Sequence, residues 1–113
     1  MKRHVNVNEL NQLGEERLGR LVMPIVENVD WLPLGEEDET IAEQVDITYL
    51  IEFIRNHHQI DIYTVNEKWC VQLFDLNVCA NDQESCVYEN DRNELIDVLF
   101  ECVVWILDIL VDS

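Results

Sequence analysis

A chain of 113 residues, 48% of them hydrophobic, has material for one core and is too apolar for the disordered class, so one domain spanning residues 1–113 is expected. Its formal net charge of -17 argues against direct binding to nucleic acid or to an anionic membrane surface, because the field repels both. The same field attracts basic protein surfaces.

The charge is unevenly placed. Lys2, Arg3, Arg17 and Arg20 outnumber Glu9, Glu15 and Glu16 in the first 20 residues, whereas from residue 21 onward Arg55, Lys68 and Arg92 face 21 carboxylates, a balance of -18. Self-repulsion of this density works against compaction. It therefore points to solubility or to a partner, and not to stability.

The start, Met1-Lys2-Arg3-His4-Val5-Asn6, has no apolar stretch behind it, and no run of about 18 uncharged apolar residues occurs anywhere. A cytoplasmic, non-membrane protein is expected. Cys70, Cys79, Cys86 and Cys102 are widely spaced with no Cys-x-x-Cys, so free thiols are the expectation, with a Cys79–Cys86 bond as the lesser alternative.

In chain order, Asn8 can cap a helix whose apolar positions Leu10, Leu13, Leu18, Leu21 and Val22 recur every three to four residues. A helix near 9–22 follows, weakened by Gly14 and Gly19 and stopped near Pro24. Residues 29–35 read as a connector, and Glu36-Glu37-Asp38-Glu39 as a solvated acidic loop. Thr40 with Glu43 has the form of a capping box, and Ile47, Leu50, Ile51 and Ile54 continue a second helix near 41–57. His57-His58 then closes that helix, where imidazolium suits the dipole. Neither histidine has a ligand partner at metal spacing.

At Ile60 the pattern changes from helical spacing to β-rich runs. Residues 60–65 and 69–74, separated by Asn66-Glu67-Lys68, predict a hairpin. Residues 76–80 and 86–89 add a third strand or a second hairpin around Asn81-Asp82-Gln83-Glu84-Ser85, a loop without the glycine and terminal glutamate of a calcium site. Asp91 with Glu94 resembles another capping pair, and a last helix runs through 92–111. The fold class is α+β: a small antiparallel sheet packed against about three helices.

The last helix carries the candidate site. At 100° per residue, Glu94, Asp97, Glu101, Asp108 and Asp112 fall within an arc of about 60°, opposite a core stripe of Leu99, Val103, Ile106 and Leu110. Trp105 falls inside the same acidic stripe and away from the core stripe, where a large aromatic among carboxylates suits a binding anchor. The competing expectation is that Trp105 packs on a neighbouring element or on the other subunit of a homodimer. No Lys or Arg follows Arg92, so no i, i+4 pair relieves the arc, and its last carboxylates oppose the helix dipole. Carboxylates three or four residues apart stand about 4.5 to 6 Å apart along the axis, tolerably close to phosphate spacing.

Catalytic signatures are missing. There is no Gly-x-Gly-x-x-Gly, Walker loop, Gly-x-Ser-x-Gly or His-Glu-x-x-His, and serine occurs only at Ser85 and Ser113. No enzyme activity, cofactor or metal is expected.

A short acidic chain with a carboxylate-lined helix, an aromatic within it and a small sheet resembles the phage-encoded DNA-mimic inhibitors: uracil-DNA glycosylase inhibitors, anti-restriction proteins and anti-CRISPR proteins. The order helix, Trp-bearing hairpin, helix between Asp46 and Leu110 also looks like small phage proteins with an α-β-α sandwich. The resemblance rests on character and carries no residue over position by position. It implies an inhibitor, acting in the host cytoplasm, that covers the basic surface of a nucleic-acid-binding protein of host defence or repair. An immunity protein or antitoxin against a basic nuclease toxin suits the same charge. An oligomeric structural or adaptor protein joined through the last helix is the reading of a different class.

Overall fold

The computed structural model describes residues 3–23, 39–75 and 86–112. Among the described residues five helices and three strands follow in the order α1 (Val7–Asn11), α2 (Glu15–Val22), α3 (Glu39–Gln44), α4 (Ile47–Arg55), β1 (His58–Val65), β2 (Lys68–Asp75), β3 (Cys86–Arg92) and α5 (Leu95–Asp112). The protein is a small α+β fold, as its patterning indicates.

Each of the first two expected helices is broken in two, for a local reason. Asn6, not Asn8, caps α1: its side chain accepts from the Glu9 N–H at 2.7 Å while Glu9 Oε1 accepts from the Asn6 N–H at 3.2 Å. Gly14 then stands at φ 87°, a left-handed conformation that ends α1 and starts α2. Its carbonyl accepts the Leu18 N–H at 2.9 Å. Leu10, Leu13, Leu18, Leu21 and Val22 stay buried through this corner, so the apolar spacing indicates the buried face but not the break at Gly14.

The second break falls at Val45 and Asp46. Thr40 lies inside α3 and does not cap it. The working cap is Asp46, whose Oδ1 accepts the Tyr49 N–H at 2.9 Å to start α4. The amino-terminal segment fastens on this corner, with the Val5 N–H donating to the Val45 carbonyl at 3.2 Å and a bridge between His4 and Asp46. At the other end of α4 the helix stops at Arg55. His57 follows its C-cap and His58 begins β1.

The sheet order is β1-β2-β3, antiparallel throughout. A two-residue loop joins β1 to β2, with Asn66 at φ 52° and Glu67 at φ 69°, the positive-φ pair that matches the twist of a tight hairpin. Lys68 belongs to β2 and pairs with Val65. The third strand is the 86–92 segment, with an irregularity between Leu73 and Phe74 in its register. The expected strand at 76–80, the loop at 81–85, the connector and acidic run before Glu39, and Cys79 lie outside the described residues. Cys70, Cys86 and Cys102 are free thiols.

The register sorts the two sheet faces. Ile62 pairs with Val71 and Ile60 with Leu73, while Asn90 and Tyr88 flank the same β2 residues on the other side. Val71 and Leu73 are fully buried and Ile60, Ile62, Trp69 and Tyr88 pack at the margin of the core, so this face carries the helices. The opposite face holds Tyr63, Cys70 and Phe74, with Val65 and Val87 exposed. α5 packs on α2, α4, β2 and β3 and is the central element of the core. It starts at Leu95, later than the expected 92, because Arg92 still belongs to β3. The Val98 N–H donates to the Glu94 carbonyl, which opens the helix.

Candidate functional site

Around α5 the apolar arc is wider than the four-residue stripe expected from spacing. Leu99, Val103 and Ile106 are buried, and so are Ile96, Val98, Cys102 and Leu107, while Leu110 is only half-buried. Val98 and Cys102 fall on the Trp105 side of the helical wheel and are fully buried there. A narrow polar margin remains, formed by Glu94, Asp97, Glu101, Asp108 and Asp112. The first four are half-buried and Asp112 is exposed. Asp97, Glu101, Asp108 and Asp112 belong to α5, whereas Glu94 stands just before its first residue.

Other elements supply the cations that α5 lacks. On β3, Tyr88, Asn90 and Arg92 alternate toward the helix. Arg92 donates to Glu101 Oε1 from Nη2 at 2.6 Å and from Nε at 3.1 Å, and Asn90 Nδ2 donates to Glu101 Oε2 at 2.6 Å. Asn90 Nδ2 also lies 3.1 Å from the Tyr88 hydroxyl. From α2, Arg17 Nε donates to Asp108 Oδ1 at 2.7 Å. Both ion pairs join residues remote in sequence, so spacing along α5 carries no trace of them. They correct the expectation of an unrelieved acidic stripe: replacing Glu101 or Asp108 by Lys sets a cation against Arg92 or Arg17 and does not relieve repulsion there.

Trp105 packs on neighbouring elements, which is the competing expectation and not that of a free anchor. Its indole stacks on Tyr88 of β3, with ring centroids 4.9 Å apart at 26°, and meets His58 of β1 at 5.4 Å and 60°. It remains half-buried. Burial, seconded by the charge of His57 and opposed by Asp75, holds the His58 imidazole below its ordinary range. Its Nδ1 is buried and has no hydrogen-bond partner among the described residues. Burial, aided by the Cys102 thiol, pushes the Tyr88 phenol up, against the hydrogen bond from Asn90. Burial also drives Cys102 itself up to about 12, with Glu101 adding to the shift. A thiol so protonated is no nucleophile.

Trp105 and Asp108 border a groove of about 470 Å³ between α1 and α5. Phe100 and Val104 form its apolar wall, Glu9 and Gln12 stand on the α1 side, and Tyr88 and Glu101 close the β3 end. Toward α2 the groove continues past Leu13 to Arg17. On the other side of Trp105 a second hollow is lined by Trp105, Asp108, Ile109 and Asp112. Glu9, Tyr88, Phe100 and Val104 were not recognised from sequence as site residues. The one local signal was the Asn6-x-x-Glu9 capping box, which fixes Glu9 on its helix; the rest depends on which elements α5 meets.

Among the described residues no three His, Cys, Asp or Glu side chains gather closely enough to hold a metal ion, and no helix is long and apolar enough to cross a membrane. Compared with protein-family models, curated proteins and solved structures, the chain matches none.

Proposed function

We propose that this protein is a binding inhibitor whose acidic surface, centred on the α5 margin, stands in for nucleic acid at the basic binding site of another protein, probing that site in the cytoplasm and acting without catalysis, cofactor or metal. The observation that carries the reading is that no charged or polar side chain is buried among the described residues. The carboxylates therefore keep part of their surface in solvent, where their field acts on partners. The margin adds shape to this charge. Glu101, Asp108 and Asp112 flank a half-exposed indole held by Tyr88 and His58, and an aromatic fixed before binding costs little entropy on association.

Competition tests the reading. The protein is immobilised, exposed to a bacterial lysate at low salt, and washed either with high salt or with duplex DNA. A nucleic-acid-binding protein released by both washes is the expected result, since electrostatic association weakens with ionic strength and shares its site with DNA. Partners retained through both washes contradict it and support an adaptor joined by apolar burial.

A further inference from the structure

The two edges of the sheet are built differently. β3, on one side, carries Glu89, Asp91 and Arg92, and its pairing with β2 is irregular between Leu73 and Phe74. Charges and irregular pairing are what keep an edge strand from joining another chain. β1, on the other side, is eight residues long, has Asp61 as its single carboxylate and contains no Lys, Arg or Pro. It pairs with β2 without a register shift. In a chain of net charge -17, this edge is nearly uncharged. The tight turn decides which of its backbone groups face outward. Val65 and Lys68 close that turn, and the closing pair of a two-residue hairpin loop exchanges both of its hydrogen bonds. Alternation along the ladder then aims the N–H and C=O groups of Thr64, Ile62 and Ile60 away from β2. Among the described residues no strand lies beyond β1, and no backbone bond joins those three to another element. Ile60 and Ile62 stay only half-buried.

We infer that β1 pairs antiparallel with β1 of a second copy of this chain, doubling the three-stranded sheet; the inference does not depend on the function proposed above. Backbone and charge together select the register. Outward residues must meet outward residues, so the two-fold axis passes through a residue and not between two. An axis at Asp61 would set two carboxylates directly opposite, which is unfavourable. An axis at Ile60 or Tyr63 shortens the ladder. Centred on Ile62, the pairing sets Ile60 against Thr64 and Asp61 against Tyr63. It also brings His57, just before the strand, level with Glu67 of the second copy, an imidazole beside a carboxylate. A basic partner has little to hold here beyond Asp61, whereas the strand's own pattern is self-complementary. The charge of each copy opposes association at long range. The dimer should therefore tighten as salt is added, the reverse of the response expected where an acidic surface meets a basic partner.

Sedimentation equilibrium and amide hydrogen exchange on the full chain test the interface. Over a concentration series at ~0.1 M and ~1 M salt, where the Debye length is about 10 Å and about 3 Å, the mass should rise from 13.3 kDa toward twice that. Dimerisation should be several-fold tighter at the higher salt. Between dilute monomer and concentrated dimer, the Ile60, Ile62 and Thr64 amides should gain about 10-fold in protection, while the inward Asp61 and Tyr63 amides stay unchanged. Thr64→Pro removes an outward N–H and spares the β1–β2 ladder, so it should hold the chain at the monomer mass with the Asp61 and Tyr63 amides still protected. If that variant does not keep its hairpin, exchange in the unaltered chain decides alone. A chain that stays at 13.3 kDa throughout, outward amides equally protected in dilute solution, or a dimer that salt dissociates would each overturn the β1 interface.

Discussion

Leu99 and Trp105 stand on the same helix less than two turns apart, yet they are held by different physics. Leu99 is fully buried in the common core, where apolar transfer and close packing act on every atom. Trp105 is half-buried, lies on Tyr88 and His58, and is bordered by carboxylates that arginines of other elements restrain. One side of α5 holds the fold together. The other is positioned by the fold while keeping polar groups at the surface, the condition for a surface that binds without rearranging.

Substitution should separate the two sides by size of effect. Leu99→Ala removes buried atoms from a site that cannot collapse freely, and about 2 to 5 kcal/mol of stability should be lost in a denaturant titration. A loss under about 1 kcal/mol would place Leu99 outside the core. At the margin, Glu101→Lys loses the Arg92 and Asn90 bonds and meets the Arg92 charge, for about 1 kcal/mol. Adding Arg92→Glu should restore part of it, with a coupling of about 0.5 to 1 kcal/mol, discounted because both partners are partly solvated. Zero coupling would mean that the pair does not hold α5 to β3. The smallest effect belongs to Asp112→Asn at the exposed helix end, where removing a charge that opposes the dipole should raise stability by a few tenths of a kcal/mol or leave it level.

Alkaline titration tests burial separately, because Tyr49 and Cys102 are both groups whose ionisation burial opposes. Burial raises Tyr49 from 10.0 to about 12, and its hydroxyl donates to the Leu21 carbonyl at 2.5 Å. Burial likewise raises Cys102 from 9.0 to about 12. In both cases the unfolded chain loses its proton first as pH rises. Their contribution is therefore complete below about pH 9 and should be lost between about pH 9 and 12. Cys102→Ala and Tyr49→Phe should each flatten part of that decline in thermal melts; an unchanged decline would show that neither group drives it.

Much of this was legible in the sequence for physical reasons. Period-3.6 and β-rich runs follow from burial of one face, so the α+β class, the hairpin at 60–74 and the buried stripe on α5 could be read directly. The helix breaks could not be placed by periodicity, because Leu10 to Val22 keep burying apolar groups through the turn at Gly14, and Asp46 was overlooked as a cap in favour of Thr40. The candidate site was legible only along its own helix. Asp97, Glu101, Asp108 and Asp112 share α5 while Glu94 precedes it, Arg17 and Arg92 reach Asp108 and Glu101 from α2 and β3, and Glu9 comes from α1. Such contacts are set by tertiary packing and leave no local spacing to read.

Trp105→Ala tests the division of α5 most directly, through a chemical denaturation curve of the single variant. A half-buried indole with one stacked partner predicts a loss of about 1 to 3 kcal/mol, from the aromatic pair together with the apolar area it covers. A loss of about 4 kcal/mol or more would make Trp105 a core residue and remove it from the proposed site. No measurable loss would contradict the packing on Tyr88 and His58.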